Sequence, residues 1–219
     1  MPRTADGKPD LTAPAPRTPD GKPDLSGIWQ RPRGAMPSTG GTDGIGDGTD
    51  VRFQPSAEAL YKERGDNNGK GMPSERCLPH GITKAFSVPE PFKIVQTPGL
   101  ILILHEEFNH HRQIFTDRRN TAARRAPASF GYSRGTWDGD TLVVDTTGFN
   151  DQTWLNEEGA PHSDALHLVE HIRPMPRNQF LEYKVTAEDP KVLAHPYTYI
   201  RYYKKLETEV MDDPCEDQH

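Results

Sequence analysis

From Phe92 onward the chain consists of short runs of β-branched and aromatic residues, each separated from the next by turn-forming residues. This pattern is typical of an antiparallel sandwich or barrel. The connections are short, so strands that follow each other in the sequence should pair as hairpins. About eight strands are enough to close an up-and-down, lipocalin-like barrel, and closure removes the exposed edges of an open sheet. A two-sheet sandwich is the main alternative.

The sequence predicts eight strands and one short helix. The helix should span residues 56–64, with Ser56 as its cap and Gly65 at its end. Because short turns join the strands, no parallel pairing is expected. The predicted strands are residues 93–97, 100–108, 111–116, 132–137, 141–146, 166–173, 179–186 and 197–205.

The composition limits the possible partners. Hydrophobic residues make up 33% of the 219 residues, and 19 Gly and 21 Pro indicate a loop-rich chain around a compact core. The net charge of -6 arises from interspersed acidic and basic residues, so we expect no nucleic-acid partner. The longest apolar run, residues 100–104, is too short to cross a bilayer as a helix, so no membrane span is expected.

The N-terminus contains an internal repeat: Arg3-Thr-Ala-Asp-Gly-Lys-Pro-Asp-Leu-Thr12 recurs as Arg17-Thr-Pro-Asp-Gly-Lys-Pro-Asp-Leu-Ser26. Each copy holds an Asp-Gly turn and a Pro, so neither can nucleate a helix or a central strand. We expect an extended arm over residues 1–26 and a single β-rich domain over residues 27–219. The arm either packs loosely on its own domain or docks on a neighbouring subunit, which would allow self-association.

The start of the chain and its two cysteines bear on its location. The Pro-rich opening is of the kind that follows a cleaved signal peptide, so we expect a periplasmic or extracellular protein. A bridge between Cys77 and Cys215 would tie down the C-terminal tail. Two free thiols in a cytosolic protein are the alternative. Residues 34–50, rich in Gly, Ser, Thr and Asp, should form a long loop.

Polar residues interrupt the apolar strands between residues 105 and 173. A His oriented by a carboxylate can act as general acid or base near neutral pH, and an Arg can stabilise developing negative charge. We therefore predict His105, Asp145 and His167 as an acid–base group and Arg134 as an anion stabiliser. The alternative is that these side chains pair with each other or face water. The predicted ligand-binding residues are Glu107, Arg112, Asn150, Trp154 and His162.

The run His105-Glu-Glu-Phe-Asn-His110-His111 invites comparison with the helical zinc-protease motif. Its first two His are five residues apart rather than four, and its apolar flanks favour strands, on which positions five apart face opposite ways. We predict no metal here, although a transition-metal site built from several strands stays open. No nucleophile elbow, phosphate-binding Gly loop or dinucleotide fingerprint is present, so we expect no organic cofactor.

Six motifs occur together along the chain: Gly131-Tyr-Ser-Arg-Gly-Thr-Trp-Asp-Gly-Asp-Thr-Leu-Val-Val-Asp-Thr-Thr-Gly-Phe-Asn-Asp-Gln-Thr-Trp154, Pro161-His-Ser-Asp-Ala-Leu-His167, Pro23-Asp-Leu-Ser-Gly-Ile-Trp29, Arg76-Cys-Leu-Pro79, Pro91-Phe-Lys-Ile-Val-Gln-Thr-Pro98 and Arg112-Gln-Ile-Phe-Thr-Asp117. This set resembles a large group of exported bacterial hypothetical proteins. The resemblance implies export but no activity. It also implies that residues 149–167 form a loop over one end of the strands.

These observations give two classes of function. The leading hypothesis is a lyase, isomerase or hydrolase that uses acid–base chemistry on a small molecule in a polar pocket. The other class is not catalytic: a small-molecule binder, or a subunit of an extracellular assembly joined through residues 1–26. Catalysis requires His105, Asp145 and His167 to converge in a cavity. Assembly requires the arm to lie on another chain.

Overall fold

The computed structural model of the protein describes residues 16–32, 51–117, 126–175 and 179–215. The first copy of the repeat and the predicted loop 34–50 lie outside these residues. Within the described residues, nine strands form a closed barrel in the order of the chain. They are β1 (Gly27–Gln30), β2 (Phe92–Thr97), β3 (Leu100–His105), β4 (His111–Phe115), β5 (Tyr132–Asp138), β6 (Thr141–Thr147), β7 (His167–Pro174), β8 (Phe180–Glu188) and β9 (Tyr197–Leu206).

The predicted barrel is confirmed, with two differences in its strands. The sequence analysis missed β1, which pairs with both β2 and β9 and so closes the barrel. The expectation of antiparallel pairing alone was wrong for β4 and β5, which run parallel with Ile114 opposite Ser133. A parallel pair needs a long crossover, and the connection over residues 116–131 is long enough to provide one.

The predicted helix is present with different ends. It is α1 (Pro55–Asp66), with Gln54 as N-cap and no side-chain cap. The predicted cap at Ser56 was wrong because Pro55, whose fixed φ suits the first helical position, starts the helix one residue earlier. A 3-10 helix (Pro73–Arg76) and a four-residue helix, α2 (Ile82–Ala85), follow. None of the helices in the described residues has the length and apolar character needed to span a membrane.

The second copy of the repeat closes the lower end of the barrel, where the β2–β3 and β5–β6 hairpins lie. Leu25 is fully buried there, and its N–H donates to Gln96 Oε1 at 3.0 Å. Its carbonyl accepts a 2.9 Å hydrogen bond from the indole of Trp29. Arg17 forms an ion pair with Asp140 at 2.9 Å. This copy therefore packs on its own domain and contributes to its core.

The upper end of the barrel is closed by residues 80–87, which include α2 and are called the plug below. All of them are buried. The ring of Phe86 stacks on Tyr183 with centroids 4.6 Å apart, and its carbonyl accepts a 2.6 Å hydrogen bond from the hydroxyl of Tyr203. The plug thus fills the barrel from above with aromatic contacts and fixed hydrogen bonds.

The predicted disulfide is confirmed: Cys77 and Cys215 are bridged across 138 residues. The bridge fastens the C-terminal tail beside the turn at residues 106–110. Within this contact, the Met211 N–H donates to Glu106 Oε2 at 2.7 Å, and the Asn109 amide donates to Asp212 Oδ1 at 2.7 Å. The tail therefore supports the turn that follows β3.

We expect the double variant Cys77→Ser/Cys215→Ser to lose about 4 kcal/mol of unfolding free energy, because the bridge closes a very long loop in the unfolded chain. Urea denaturation of the wild type and the variant measures this difference. Reductant should shift the wild type to the midpoint of the variant and leave the variant itself unchanged. Equal midpoints without reductant would contradict the expectation.

Candidate functional site

The structure does not bring the predicted acid–base group together. His105 lies on the inner face of β3 and is 4% exposed. Asp145 and His167 lie on the outer face of the wall, with His167 Nε2 2.8 Å from Asp145 Oδ2. Arg134, opposite Asp145 in the β5–β6 ladder, is also exposed. Three of the four residues therefore form a surface group, and His105 is separate from them.

Asn150, Trp154 and His162 all lie in the connection between β6 and β7, where each makes contacts within the protein. The Asn150 amide donates to Ser129 Oγ at 3.2 Å. His162 is buried, with Nε2 2.7 Å from the hydroxyl of Thr153. The guanidinium of Arg64 lies 4.6 Å over the ring of Trp154. Trp154 also lines a surface cleft of about 570 Å³ beside α1.

Arg112, a predicted ligand-binding residue, is the centre of a buried hydrogen-bond network. Its Nη1 donates to Glu170 Oε1 at 2.8 Å, and its Nη2 donates to Glu170 Oε2 and to Thr146 Oγ1. Its Nε donates to Ser133 Oγ at 3.0 Å, and Tyr183 donates to Glu170 Oε1 at 2.5 Å. Burial alone would lower the pKa of Arg112, but the Glu170 carboxylate outweighs that effect and raises it. Arg112 therefore stays charged, and its contacts with Glu170 have a structural role.

A different group of titratable residues lies at the upper end of the barrel, and we call it the histidine cluster: His80, His105, Glu107 and His110. His80 precedes α2, His105 ends β3, and Glu107 and His110 belong to the turn between β3 and β4. His80, His105 and Glu107 are 7%, 4% and 6% exposed, and His110 is half-buried. His80 Nδ1 lies 3.0 Å from Glu107 Oε1.

Aromatic rings hold the imidazoles of the cluster in place. Phe108 meets His80 edge to face at 5.5 Å and His110 at 5.8 Å. Phe130 stacks on His105 at 6.0 Å and also contacts His110 at 6.0 Å. The two Phe rings therefore link the three His side chains into one packed group, in which each ring limits the rotation of its neighbours.

The turn that carries Glu107 and His110 is strained. Phe108 and Asn109 have φ values of 53° and 52°, in the left-handed region that bulky side chains avoid. This conformation costs Phe108 about 1–2 kcal/mol, whereas Asn adopts it more readily. A 2.8 Å hydrogen bond from the His105 N–H to the His110 carbonyl closes the turn. Strain of this kind concentrates at functional sites, where the surrounding structure maintains it.

Two histidines of the cluster, His105 and His110, have a pKa below that of an ordinary imidazole. Burial is the largest of the effects that lower the pKa of His105 to about 3, and the charge of Arg112 adds to it. A hydrogen bond with the Ala85 backbone raises the pKa of His105. This is the effect expected when a ring N–H donates to a carbonyl oxygen. The other ring nitrogen, Nε2, then carries a free lone pair. Burial also lowers the pKa of His110, against the attraction of Glu107.

The cluster contains an unusual number of buried polar atoms without a hydrogen-bond partner. Five of the ten such atoms in the described residues belong to it: His80 Nδ1 and Nε2, His105 Nε2, Glu107 Oε2 and His110 Nδ1. His80 Nδ1 approaches Glu107 without the alignment of a hydrogen bond. Each buried unpaired atom costs about 1–3 kcal/mol. Ordered water or a polar ligand can satisfy such atoms.

The barrel wall has few ladder pairs at the seam between β4 and β5, beside the cluster. Strands β4 and β5 share only two ladder positions, Ile114 with Ser133 and Phe115 with Arg134. A cavity of about 170 Å³ lies along this seam and is lined by Phe130 and Arg112, among others. Phe130, whose ring stacks on His105, therefore lies between this cavity and the cluster.

The arrangement does not have the character of a metal centre. Among residues 16–32, 51–117, 126–175 and 179–215, no three His, Cys, Asp or Glu side chains are grouped so as to hold a metal ion.

The sequence analysis singled out His105 and Glu107 from this cluster and missed His80, which comes from a segment without a strand pattern. For His110, the sequence offered one indication: this residue lies in the polar run that follows the apolar residues of β3. No protein-family profile matches the chain, and no curated protein sequence matches it. The resemblance based on motifs therefore stays a prediction, as does any role for Arg134, Asp145 and His167.

Proposed function

We propose that this protein binds a small polar molecule at the histidine cluster and performs acid–base chemistry on it. The observation that carries the proposal is the group of five unpartnered buried atoms on four neighbouring side chains. The lone pair of His105 Nε2 accepts a hydrogen bond, and so does a carboxylate oxygen such as Glu107 Oε2. The ligand should therefore supply donors, as the hydroxyl groups of a polyol or the N–H groups of an amine do.

Glu107 and His80 are suited to proton transfer. A carboxylate in a partly dry site can take a proton from a bound ligand, and a neighbouring imidazole can share or relay it. The 3.0 Å separation of Glu107 Oε1 and His80 Nδ1 allows this exchange. Chemistry of this type, an isomerisation or an elimination, moves a proton and uses no organic cofactor.

We also propose that the protein is periplasmic or extracellular. Disulfides persist in oxidising compartments, and Cys77–Cys215 is such a bond. The bridge also supports the turn that carries Glu107, so the conditions that keep the bridge oxidised also keep this turn supported.

The binding step is tested by saturation-transfer NMR with glycerol, myo-inositol, glucose and ethanolamine as probes. At least one probe should bind the wild type, and Glu107→Gln should weaken its affinity about tenfold, because a hydrogen bond to a charged acceptor is lost. Glu182→Gln is the control, since Glu182 pairs with Arg173 on the outer wall. Binding that is the same in the Glu107 variant, or no binding by any probe, would refute the proposal.

The chemical step is separated from mere binding by incubating the bound probe in D₂O. Of the probes, glucose in its open-chain form has an acidic C–H next to a carbonyl, so isomerisation predicts deuterium incorporation at C2 of glucose by the wild type and none by Glu107→Gln. A binding protein without chemistry would hold the probe and leave its C–H signals unchanged.

A further inference from the structure

Arg201 lies inside the barrel with part of its guanidinium unpaired. It is on the inward face of β9 and is 2% exposed. Its Nη1 donates to Ser87 Oγ, in the plug. Its Nε and Nη2 have no hydrogen-bond partner, and neither has the hydroxyl of Tyr199, which lies on the same face of β9. Three buried donor groups thus remain without an acceptor in this part of the barrel.

Within the described part of the chain, no carboxylate forms an ion pair with Arg201. The side chains that act on its guanidinium electrostatically are the phenols of Tyr183, Tyr199 and Tyr203, and Tyr203 also interacts with it through a hydrogen bond. Burial raises the pKa of all three, that of Tyr203 to about 12, so they carry no charge at neutral pH. The ring of Tyr199 lies 4.8 Å beneath the guanidinium, and this contact is favourable but does not neutralise it.

The nearby interior carboxylate is already used. Glu170 accepts two hydrogen bonds from Arg112 and one from Tyr183. Arg112 and Arg201 thus lie inside the described barrel, and the Glu170 carboxylate is hydrogen-bonded to Arg112 rather than to Arg201. Water can satisfy the donors of Arg201, but it cannot compensate the charge, and an uncompensated buried ion is strongly unfavourable.

We propose that the barrel interior binds one small anion at Arg201, a site separate from the histidine cluster. The Nε and Nη2 groups form one edge of the guanidinium fork, which matches a planar anion with two oxygen atoms. The class of ligand is therefore a small carboxylate such as formate or acetate, or the similarly shaped nitrate. The hydroxyl of Tyr199 is a third available donor. The anion would lock the plug to β9 through the shared contact of Arg201 with Ser87.

The site is tested with two measurements on the full chain. Thermal unfolding is followed with increasing formate, at an ionic strength held constant with gluconate, which is too large for the interior. In parallel, ion chromatography measures the anions that the purified protein releases on denaturation, so that a tightly held anion is also detected. The wild type should show a melting temperature that rises with formate, or release about one small anion per chain.

Variants locate the anion. Arg201→Gln should abolish the formate response and the released anion, whereas Arg173→Gln, on the exposed wall, should keep both. Tyr199→Phe removes only the hydroxyl and should weaken formate binding about twofold to tenfold, which keeps the test valid if Arg201→Gln fails to fold. A wild type with neither response nor released anion would overturn the proposal and leave water as the partner. A formate response or a released anion that persists unchanged in Arg201→Gln would also overturn the proposal. The same holds for a formate affinity that is unchanged in Tyr199→Phe.

Discussion

Glu170→Ala should lower the free energy of unfolding by about 3–5 kcal/mol, as expected when a buried ion pair loses one partner. The side chains of Arg112 and Glu170 are 1% and 0% exposed. Without the carboxylate, Arg112 would remain charged in the interior and the hydroxyl of Tyr183 would lose its acceptor. Urea denaturation followed by circular dichroism measures the change.

Two further variants separate the charge effect from the loss of packing. Glu182→Ala breaks the exposed pair with Arg173 and should cost less than about 1 kcal/mol. The double replacement Arg112→Met/Glu170→Leu removes both charges and should recover most of the stability lost in Glu170→Ala. A loss below 1 kcal/mol in Glu170→Ala, or no recovery in the double variant, would contradict the role of this pair.

The second large effect is a loss of stability in acid that depends on His105. Its pKa is about 3 in the folded protein, against 6.5 for an unperturbed His. Between these values the unfolded chain binds a proton that the folded chain does not, so stability is complete above pH 6.5 and falls as the pH drops towards 3. From pH 7 to pH 4 this residue alone should remove about 3 kcal/mol.

Comparing two variants separates the contribution of His105 to the loss of stability in acid from that of other titratable groups. His105→Phe retains the aromatic packing and should show a shallower decline of unfolding free energy between pH 7 and pH 4. His195→Phe alters an exposed His and should follow the wild type. If His105→Phe and the wild type decline in parallel, His105 is not held neutral by burial.

The strands of the barrel were predictable because the alternation of residues within a strand is a local property. The closure of the barrel is not a local property. Strand β1 has only four residues and follows Pro-rich sequence, so it lacks the length of a recognisable pattern. The parallel pair β4–β5 was missed because pairing depends on where the chain returns after residues 116–131. The sequence does not show this path.

The site was predictable only where its residues share a strand. Alternation placed Asp145 correctly with Val143, but it could not tell which face of β6 points inward. The inner face is that of Leu142 and Val144, so Asp145 lies outside. The contact of His80 with Glu107 arises only when the plug enters the barrel, and such contacts between distant segments leave no local signal.

A crystal structure of the protein with the best-binding probe of the NMR panel tests the central claim most directly. The histidine cluster as the binding site predicts a probe that contacts His105 Nε2 and Glu107 Oε2, with the Phe130 ring displaced from its present position. A probe bound instead in the cleft beside Trp154, with the polar atoms of the cluster paired to one another, would contradict it.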